Sequence, residues 1–262
     1  MIQAVPQYAV RLASTEDDLR AAQRLRYAVF VEELGGGGAL VDHVNRLERD
    51  RFDPFFDHLL LLDEARAPDD RVVGVYRLLR ADQAARVGQF YSEDEYDLTP
   101  LKASGRRLLE LGRSCLHADY RGGMGMYHLW HALAAYVDAH GIEVLFGVAS
   151  FHGTDAQALA APLSLLHHRH LAPDDLRVTA RPAGYAGMNL IAEDDLDRRR
   201  AMLAVPALIK AYLRLGGFVG QGAFVDHVFN TTDVCLILDV ARMNASQRAI
   251  YTRPVETRGV PT

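Results

Sequence analysis

The chain has 262 residues, of which 49% are hydrophobic and 24% are charged, and its formal net charge at pH 7 is -5. This composition excludes a disordered or fibrous protein, because a chain of this size buries a full core, and we expect one domain over residues 1–262. The acidic balance gives no support to a nucleic-acid partner, and no run of about 18 apolar residues predicts a membrane span, so we expect a cytoplasmic protein.

The N-terminal part of the chain combines a strand, a helix and a glycine-rich loop. Residues 8–12 have the pattern of a strand, and Thr15 followed by Asp18 predicts a capping box at the start of a helix that reaches Glu33. Four consecutive glycines then interrupt regular structure. We expect residues 34–51 to form a mobile loop that closes over a substrate.

The central part of the chain predicts a hairpin and a crossover. Two apolar runs, at residues 58–62 and 72–79, flank a turn-rich segment and predict an antiparallel hairpin. A strand, a glycine-containing turn, a helix and a second strand follow, and this order predicts a right-handed β-α-β crossover with the turn at the carboxyl end of its strand. These four elements are expected at residues 107–116, 120–125, 126–140 and 144–148.

The C-terminal part is expected to be mostly helical before a last strand. Thr154 and Asp155 predict the cap of a short helix, and residues 198–215 predict an amphipathic helix. This second helix either faces the core or presents its apolar side to a membrane or an acyl chain. We therefore expect a helical insertion over residues 154–215, followed by a strand at residues 234–240.

The glycine-containing turn is the first candidate for function. Backbone N–H groups at the start of a helix bind phosphate well, and the missing side chains of Gly122, Gly123 and Gly125 let a ligand approach closely. The alternative is ordinary turn chemistry, since glycine is common wherever the backbone needs a positive φ.

Two charged residues in an apolar strand are the second candidate. Glu110 and Arg113 interrupt the run LLELGRSCL, and buried charge is costly unless it is paired or used. Regular alternation puts these two side chains on opposite faces of the strand, unless a bulge near Gly112 redirects one of them. The alternative is an ion pair at the edge of the strand.

Acids and arginines near the first helix and the hairpin are the third candidate. Carboxylates bind the ammonium groups of an amino acid, and guanidinium groups bind its carboxylate. Each such residue alone is commonly a solvated surface charge. The residues concerned are Arg26, Asp50, Asp53, Asp57, His58 and Arg77.

These residues, in this order, resemble a known family pattern. The set Arg26, Phe30, Asp50, Asp53, Arg77, Glu110 and Arg113 is similar to the set that marks the acyl-homoserine-lactone synthases. The segments FDHLL at 56–60, ELGRSCLHADYR at 110–121 and YLRLG at 212–216 resemble more closely the ornithine acyl-carrier-protein N-acyltransferases. The resemblance extends over about residues 24–240.

The resemblance implies an α/β fold of the acetyltransferase-like (GNAT) type, with a mixed central sheet flanked by helices. It also implies transfer of a (3-hydroxy)acyl group from acyl carrier protein to the α-amine of ornithine, which makes lyso-ornithine lipid. No metal and no tightly bound cofactor are expected. No covalent acyl-enzyme is expected either, because Cys115 has no evident base at a recognisable spacing. Peripheral contact with the inner membrane is compatible with this function.

The resemblance further implies roles for single residues. Glu110 is expected to take the proton from the acceptor amine, and His58, oriented by Asp57, is the second candidate base. Backbone N–H groups around Leu116 and His117 are expected to stabilise the oxyanion. The expected substrate-binding residues are Arg26, Phe30, Asp50, Asp53, Arg77 and Arg113, and the expected phosphopantetheine contacts are Leu116, His117, Arg121, Gly122, Gly123 and Gly125.

The donor and the acceptor each leave alternatives. Tyr120 takes the first position of the phosphate-loop pattern, where a glutamine or arginine is usual, and this favours an acyl-phosphopantetheine arm over coenzyme A. The second ammonium of ornithine needs a further carboxylate, which Asp50, Asp53 or Asp226 could supply. The alternatives are another amine acceptor such as glycine, tyrosine or a homoserine-lactone type, a coenzyme-A-dependent acetyltransferase, and a non-catalytic module that binds acyl carrier protein or lipid.

Overall fold

The computed structural model describes residues 5–247, and a mixed sheet runs through the centre of this part of the chain. The order of its strands is β1-β2-β3-β5-β6-β11-β10-β8, and β9 pairs with β11. The strands are β1 (Tyr8–Leu12), β2 (Asp57–Asp63), β3 (Val72–Arg80), β4 (Tyr96–Asp97), β5 (Leu108–Leu116), β6 (Val144–His152), β7 (Thr179–Ala180), β8 (Tyr185–Ala186), β9 (Phe218–Val219), β10 (Ala223–Asp226) and β11 (Thr231–Asp239).

Helices cover the sheet, and the expected acetyltransferase-like fold is confirmed. Leu129, Leu133 and Val137 on one helix pack with Leu59 and Leu61 of β2 in a common core. The helices are α1 (Glu16–Arg26), α2 (Ala81–Val87), α3 (Thr99–Ala103), α4 (Gly125–His140), α5 (Ala160–His170), α6 (Arg198–Ala204) and α7 (Ala207–Arg214). Within residues 5–247 no helix combines the length and the apolar character needed to cross a bilayer.

The elements predicted from local patterns are confirmed in the first half of the chain. The Thr15 hydroxyl accepts the N–H of Asp18 at 3.1 Å, and the Asp18 carboxylate accepts the N–H of Thr15 at 3.3 Å, which is the predicted capping box. Helix α1 then continues as a π-helical segment, Tyr27–Glu33. Strands β2 and β3 pair antiparallel as predicted, and α4 connects the parallel strands β5 and β6.

Strand β5 carries the bulge on which the site depends. Val75 of β3 pairs with Cys115, but Arg77 pairs with Gly112, so β5 has one extra residue in this interval. Arg113 lies there with a φ of 50°, a left-handed conformation that is strained for a residue with a side chain. A bulge re-aims side chains, and it places Arg113 and Glu110 around the same tyrosine, Tyr91.

Strands β5 and β6 separate after a short parallel pairing. The pairing ends at Glu110 and Phe146, and beyond this point a cleft opens between the two strands. Just past this point the backbone of Leu111 still lies against Gly147, since a Cβ on Gly147 would come within 2.1 Å of the Leu111 carbonyl oxygen. A glycine is therefore required at the point from which the cleft opens.

Several boundaries in the second half differ from the predictions, including the end of β6, which reaches His152 and not residue 148. Helix α5 begins at Ala160, and Asp155 instead accepts the N–H groups of Gln157 and Ala158 in the preceding turn. The single helix expected over 198–215 is two helices, because Pro206 has no N–H to continue the first one. Strand β11 starts at Thr231, three residues before the expected 234, so that Asp233 belongs to the sheet.

Candidate functional site

A cavity of about 390 Å³ lies beside the bulge, where β5 and β6 have separated. Its volume is in the range of small-molecule sites. The π-helical segment contributes Phe30 to the wall, and β5 contributes Gly112, Arg113 and Ser114. The polar residues on the opposite side of the lining are Glu95, Ser150, His152, Asp226, Thr231 and Asp233.

A narrow apolar cleft of about 40 Å³ continues from this cavity between the separated strands. The cleft and the cavity share the bulge residues 112–114 of β5 and residues 148–149 of β6. Leu111, Leu145 and Leu236 line the cleft on its inner side. A cavity with charged groups on a largely apolar wall, continued by an apolar cleft, suits a reaction that joins a polar molecule to an apolar chain.

Arg113 is the cation of this cavity. Its Nε donates to Glu48 Oε1 at 3.1 Å, and its Nη1 donates to the Tyr91 hydroxyl at 3.2 Å. The guanidinium also lies over the ring of Phe229, 4.7 Å from the ring centroid, and over Phe30 at 5.9 Å. These contacts fix the guanidinium of Arg113 at the cavity wall. Its Nη2 is 3.7 Å from the nearest oxygen of Asp50. The predicted involvement of Arg113 and Phe30 in one site agrees with this geometry.

Behind Arg113 lies a buried network of ion pairs. Asp53 Oδ1 accepts from Arg26 and from Arg77, each at 2.7 Å, and Arg77 also donates to Asp50 at 2.8 Å. Glu48 joins Arg26 to Arg113. Burial acts to raise the pKa of Glu48, but the nearby Arg113 and Arg26 lower it to about 2. Glu48 is therefore ionised, and Arg26 and Arg113 match its charge.

Four predicted substrate-binding residues, Arg26, Asp50, Asp53 and Arg77, belong to this network and not to the cavity wall. Arg26, Arg77 and Asp53 are at most 3% exposed, and each is occupied by the others. The structure gives them a supporting position behind Arg113. Glu48 was not recognised from the sequence, because it stands in an irregular polar segment where no periodicity marks a buried position.

His58 and Asp57 do not form the expected pair. His58 Nε2 donates to the backbone carbonyl of Asp53 at 3.0 Å, whereas the Asp57 carboxylate accepts from Arg80 at 2.5 Å and from Tyr136 at 2.6 Å. The expectation that Asp57 orients His58 is wrong, because neighbouring residues of a strand point to opposite faces of the sheet. Burial lowers the pKa of His58 to about 4, so the ring is neutral near pH 7.

Replacing His58 with glutamine tests this pKa. The folded protein binds a proton at His58 only below about pH 4, whereas the unfolded chain binds it below about 6.5. The contribution of His58 to stability is therefore complete above pH 6.5 and is lost as the pH falls toward 4, by roughly 3 kcal/mol. Urea unfolding of both proteins between pH 4 and 7.5 should show a difference in unfolding free energy that changes by this amount. If the difference in unfolding free energy between the two proteins were constant with pH, the lowered pKa of His58 would be contradicted.

Glu110 is buried beside the cavity without lining it. One carboxylate oxygen accepts the N–H of Tyr91 at 2.7 Å, and the other accepts the N–H and the hydroxyl of Ser92 at 2.6 and 2.5 Å. Burial raises the pKa of Glu110 to about 7, although these hydrogen bonds act to lower it. Glu110 thus holds the segment that carries Tyr91, and its pKa is close to neutrality.

The glycine-containing turn lies at the start of α4, as predicted. Gly122 has a φ of 74°, and space is open around it. Arg121 Nη2 is 2.7 Å from Glu33, and Tyr120 is turned inward, with its hydroxyl donating to Asp63 at 2.6 Å. The turn therefore offers backbone groups at its surface, and the Tyr120 side chain takes no part in that surface.

The oxyanion donors expected around His117 are not free. The His117 N–H donates to the Val73 carbonyl at 2.9 Å, so the sheet already uses it. The His117 N–H is therefore not an oxyanion donor, and the bulge of β5 lies upstream, between Gly112 and Cys115. The register of β5 leaves Arg113 and Ser114 without a partner residue in β3 or β6.

Three carboxylates meet on the side of the cavity formed by β10 and β11. Oxygens of Glu95, Asp226 and Asp233 lie within 4.8 Å of one another, an arrangement that suits a cation. Asp226 was a candidate from the sequence, but Glu95 was missed. It follows a short 3-10 turn with no pattern of its own, and only the fold brings it near β11.

Comparison with known proteins agrees with this architecture. A model of the acetyltransferase (GNAT) domain matches residues 25–131. The chain is 63% identical over 254 residues to an L-ornithine N(alpha)-acyltransferase of Rhodobacter capsulatus, covering 96% of this chain and 97% of the relative. It is 43% identical over 246 residues to a protein of the same name from Brucella abortus, covering 92% and 88%.

Solved structures with the same fold share far less sequence. An N-acyl amino acid synthase from uncultured soil microbes has a TM-score of 0.51 at 11% identity, covering 93% of this chain and 98% of that one. A coenzyme-A-dependent acyl-homoserine lactone synthase has a TM-score of 0.51 at 17% identity, covering 94% and 88%. These two likenesses establish the fold, and the relatives establish the family. The chain therefore belongs to the L-ornithine N(alpha)-acyltransferase family and is an enzyme that acylates the amine of an amino acid.

Proposed function

We propose that this enzyme transfers a (3-hydroxy)acyl group from the phosphopantetheine thioester of acyl carrier protein to the α-amine of ornithine. The product is lyso-ornithine lipid. The observation that carries this proposal is the cavity, in which one guanidinium and three carboxylates line a space that opens into an apolar cleft. The names of the relatives support ornithine as the acceptor.

In the reaction the α-amine attacks the thioester carbonyl, and the carbon–sulfur bond then breaks. The amine loses its proton to a base, and the pantetheine sulfur leaves as a thiolate that takes up a proton. We assign Arg113 to the acceptor carboxylate, because its guanidinium lies in the cavity wall, held by Glu48 and Tyr91. We assign stabilisation of the oxyanion to the backbone N–H groups of Arg113 and Ser114 at the bulge, because neither residue pairs with β3 or β6.

The acyl carrier protein is favoured as donor over coenzyme A. Tyr120 stands where the phosphate-loop pattern has a polar side chain, and its hydroxyl is used internally by Asp63. The pantetheine arm needs fewer phosphate contacts than coenzyme A does. Because the product is amphiphilic, we place the enzyme in the cytoplasm with peripheral contact at the inner membrane.

The proposal is tested with purified protein and mass spectrometry. The donors are 3-hydroxyacyl carrier protein, long-chain acyl-coenzyme A and acetyl-coenzyme A, each supplied with ornithine, glycine or tyrosine. N-acylated ornithine formed from the carrier-protein donor alone is the expected result. Efficient use of acetyl-coenzyme A would contradict acyl carrier protein as the donor. A different acylated amine would contradict ornithine as the acceptor.

Replacing Glu110 with glutamine tests the base. A pKa of about 7 suits a group that takes a proton near neutral pH, so we expect kcat to fall by about two to four orders of magnitude. The NH2 group of glutamine faces the N–H of Tyr91 or of Ser92, so urea unfolding of the variant is measured beside its kinetics to establish that it is folded. The rise of kcat with pH near 7 should disappear in the variant. An unchanged pH profile at reduced rate would instead assign Glu110 to holding Tyr91 and Ser92 in place.

A further inference from the structure

The carboxylate cluster of Glu95, Asp226 and Asp233 is assembled from three distant segments. Glu95 follows the 3-10 turn Tyr91–Asp94, Asp226 ends β10, and Asp233 is in β11. All three line the same cavity as Arg113. Their oxygens are within 4.8 Å of one another, so one small cation can contact all three side chains.

None of the three carboxylates forms a salt bridge within residues 5–247, and Arg113 acts on Glu95 and Asp233 only from beyond salt-bridge distance. Glu95 and Asp233 are only 6% and 4% exposed, and Glu95 Oε2 and Asp233 Oδ1 have no hydrogen-bond partner in the described part of the chain. Over residues 5–247 none of the three carboxylates has an arginine or lysine nitrogen within 4.0 Å. A buried polar atom without a partner costs free energy, and a buried carboxylate costs more.

The other buried acids of the site do have cationic partners, so the lack of salt bridges is specific to the cluster. Glu48, Asp50 and Asp53 on the other side of Arg113 are each bound by arginines at 2.8 Å or more closely. Burial raises the pKa of Glu95 well above its usual range, and repulsion from Asp233 and Asp226 adds to this effect. The unpartnered oxygens and the mutual repulsion describe a site in which a proton or another positive charge between the carboxylates is favoured.

We propose that Glu95, Asp226 and Asp233 bind the distal ammonium group of a diamino acid acceptor and select it over uncharged amino acids. This inference rests on the proposed function, which places ornithine in this cavity. The acceptor carboxylate binds Arg113, and the distal ammonium binds the cluster. The α-amine then remains as the group that reaches the thioester at the mouth of the apolar cleft.

The cluster also selects which amine reacts. An ammonium group surrounded by carboxylates keeps its proton, since opposite charges favour the charged form. A protonated amine has no lone pair with which to attack a thioester. The distal amine is therefore protected from acylation, and the product is acylated at the α-amine.

The test compares ornithine with norvaline, which has the same carbon chain but lacks the distal amine. The variants are Asp226→Asn and Asp233→Asn, which keep shape and remove charge. In Asp226→Asn the side-chain oxygen can still accept the N–H groups of Val228 and Phe229, so the β10 turn is retained. We expect the ratio of kcat/KM for ornithine to that for norvaline to fall by about 10- to 100-fold in each variant, through a higher KM for ornithine.

The control variant is Asp194→Asn, which removes the same charge from an exposed turn outside the cavity. It should leave both the ratio and the kcat/KM for norvaline unchanged. Mass spectrometry of the ornithine product should show some acylation at the distal amine in the cluster variants only.

Other outcomes separate the inference from the proposed function. Wild-type enzyme that prefers ornithine, with variants that keep this preference, would overturn the inference and leave the function standing. Wild-type enzyme that uses norvaline as well as ornithine would also overturn the inference, whereas wild-type enzyme that acylates neither amino acid would overturn the function. Wild-type activity that is lost with a chelator and restored by Mg²⁺, Ca²⁺ or Mn²⁺, with loss of binding of that metal in the variants, would assign the cluster to a metal and overturn the inference.

Discussion

Replacing Asp53 with asparagine should lower the free energy of unfolding by about 3–5 kcal/mol, the cost of removing one partner from a buried ion pair. Asp53 is 3% exposed, and its two oxygens accept from Arg26, Arg77 and Gln23. The asparagine amide cannot accept all of these donors, and its own N–H groups face other donors. Equilibrium unfolding in urea or guanidinium chloride measures the change, and the dependence on denaturant should be unaltered.

Asp70→Asn is the matched control for this prediction. Asp70 is also paired with an arginine, Arg66, but the Asp70 side chain is 66% exposed. Exposed pairs contribute little because water screens both charges, so we expect a change of at most about 1 kcal/mol. Equal effects of the two substitutions would show that burial of the Arg26, Arg77 and Asp53 network does not determine its contribution.

Replacing Arg113 with lysine should lower kcat/KM for the amino acid acceptor by about 100-fold, mainly through KM. Lysine keeps the charge next to Glu48, so the network retains its balance, but it loses the planar fork that binds a carboxylate through two hydrogen bonds. It also loses the donor to the Tyr91 hydroxyl. Steady-state kinetics with ornithine varied and the donor held constant give the two parameters separately.

Arg46→Lys is the matched control for Arg113. Arg46 also has a positive φ, 54°, and it pairs with Glu32, but its side chain is 62% exposed and lies outside the cavity lining. The control therefore reproduces both the change of residue and the unusual backbone. It should leave kcat/KM within about twofold of wild type. A loss in kcat alone for Arg113→Lys, with KM unchanged, would move Arg113 from binding the acceptor to acting in the transition state.

Local patterns in the sequence were sufficient for the capping box at Thr15, the β2–β3 hairpin and the β5-α4-β6 crossover. Each depends on residues that are close in the chain, so the periodicity and the turn residues specify it. The sequence also indicated that Glu110 and Arg113 required a bulge near Gly112 to act together, because strand alternation otherwise separates them. The register of β3 and β5 confirms that bulge.

Only the tertiary structure decided which charged residue faces which partner. The sequence grouped Arg26, Asp53 and Arg77 as substrate contacts, yet they pair with one another behind the cavity wall. An ion pair forms between residues that the folded backbone brings within a few ångströms of each other. The spacing of residues in the sequence does not predict this distance when they belong to separate segments. For the same reason Glu95, Asp226 and Asp233 become one cluster only when the 3-10 turn, β10 and β11 meet around the cavity.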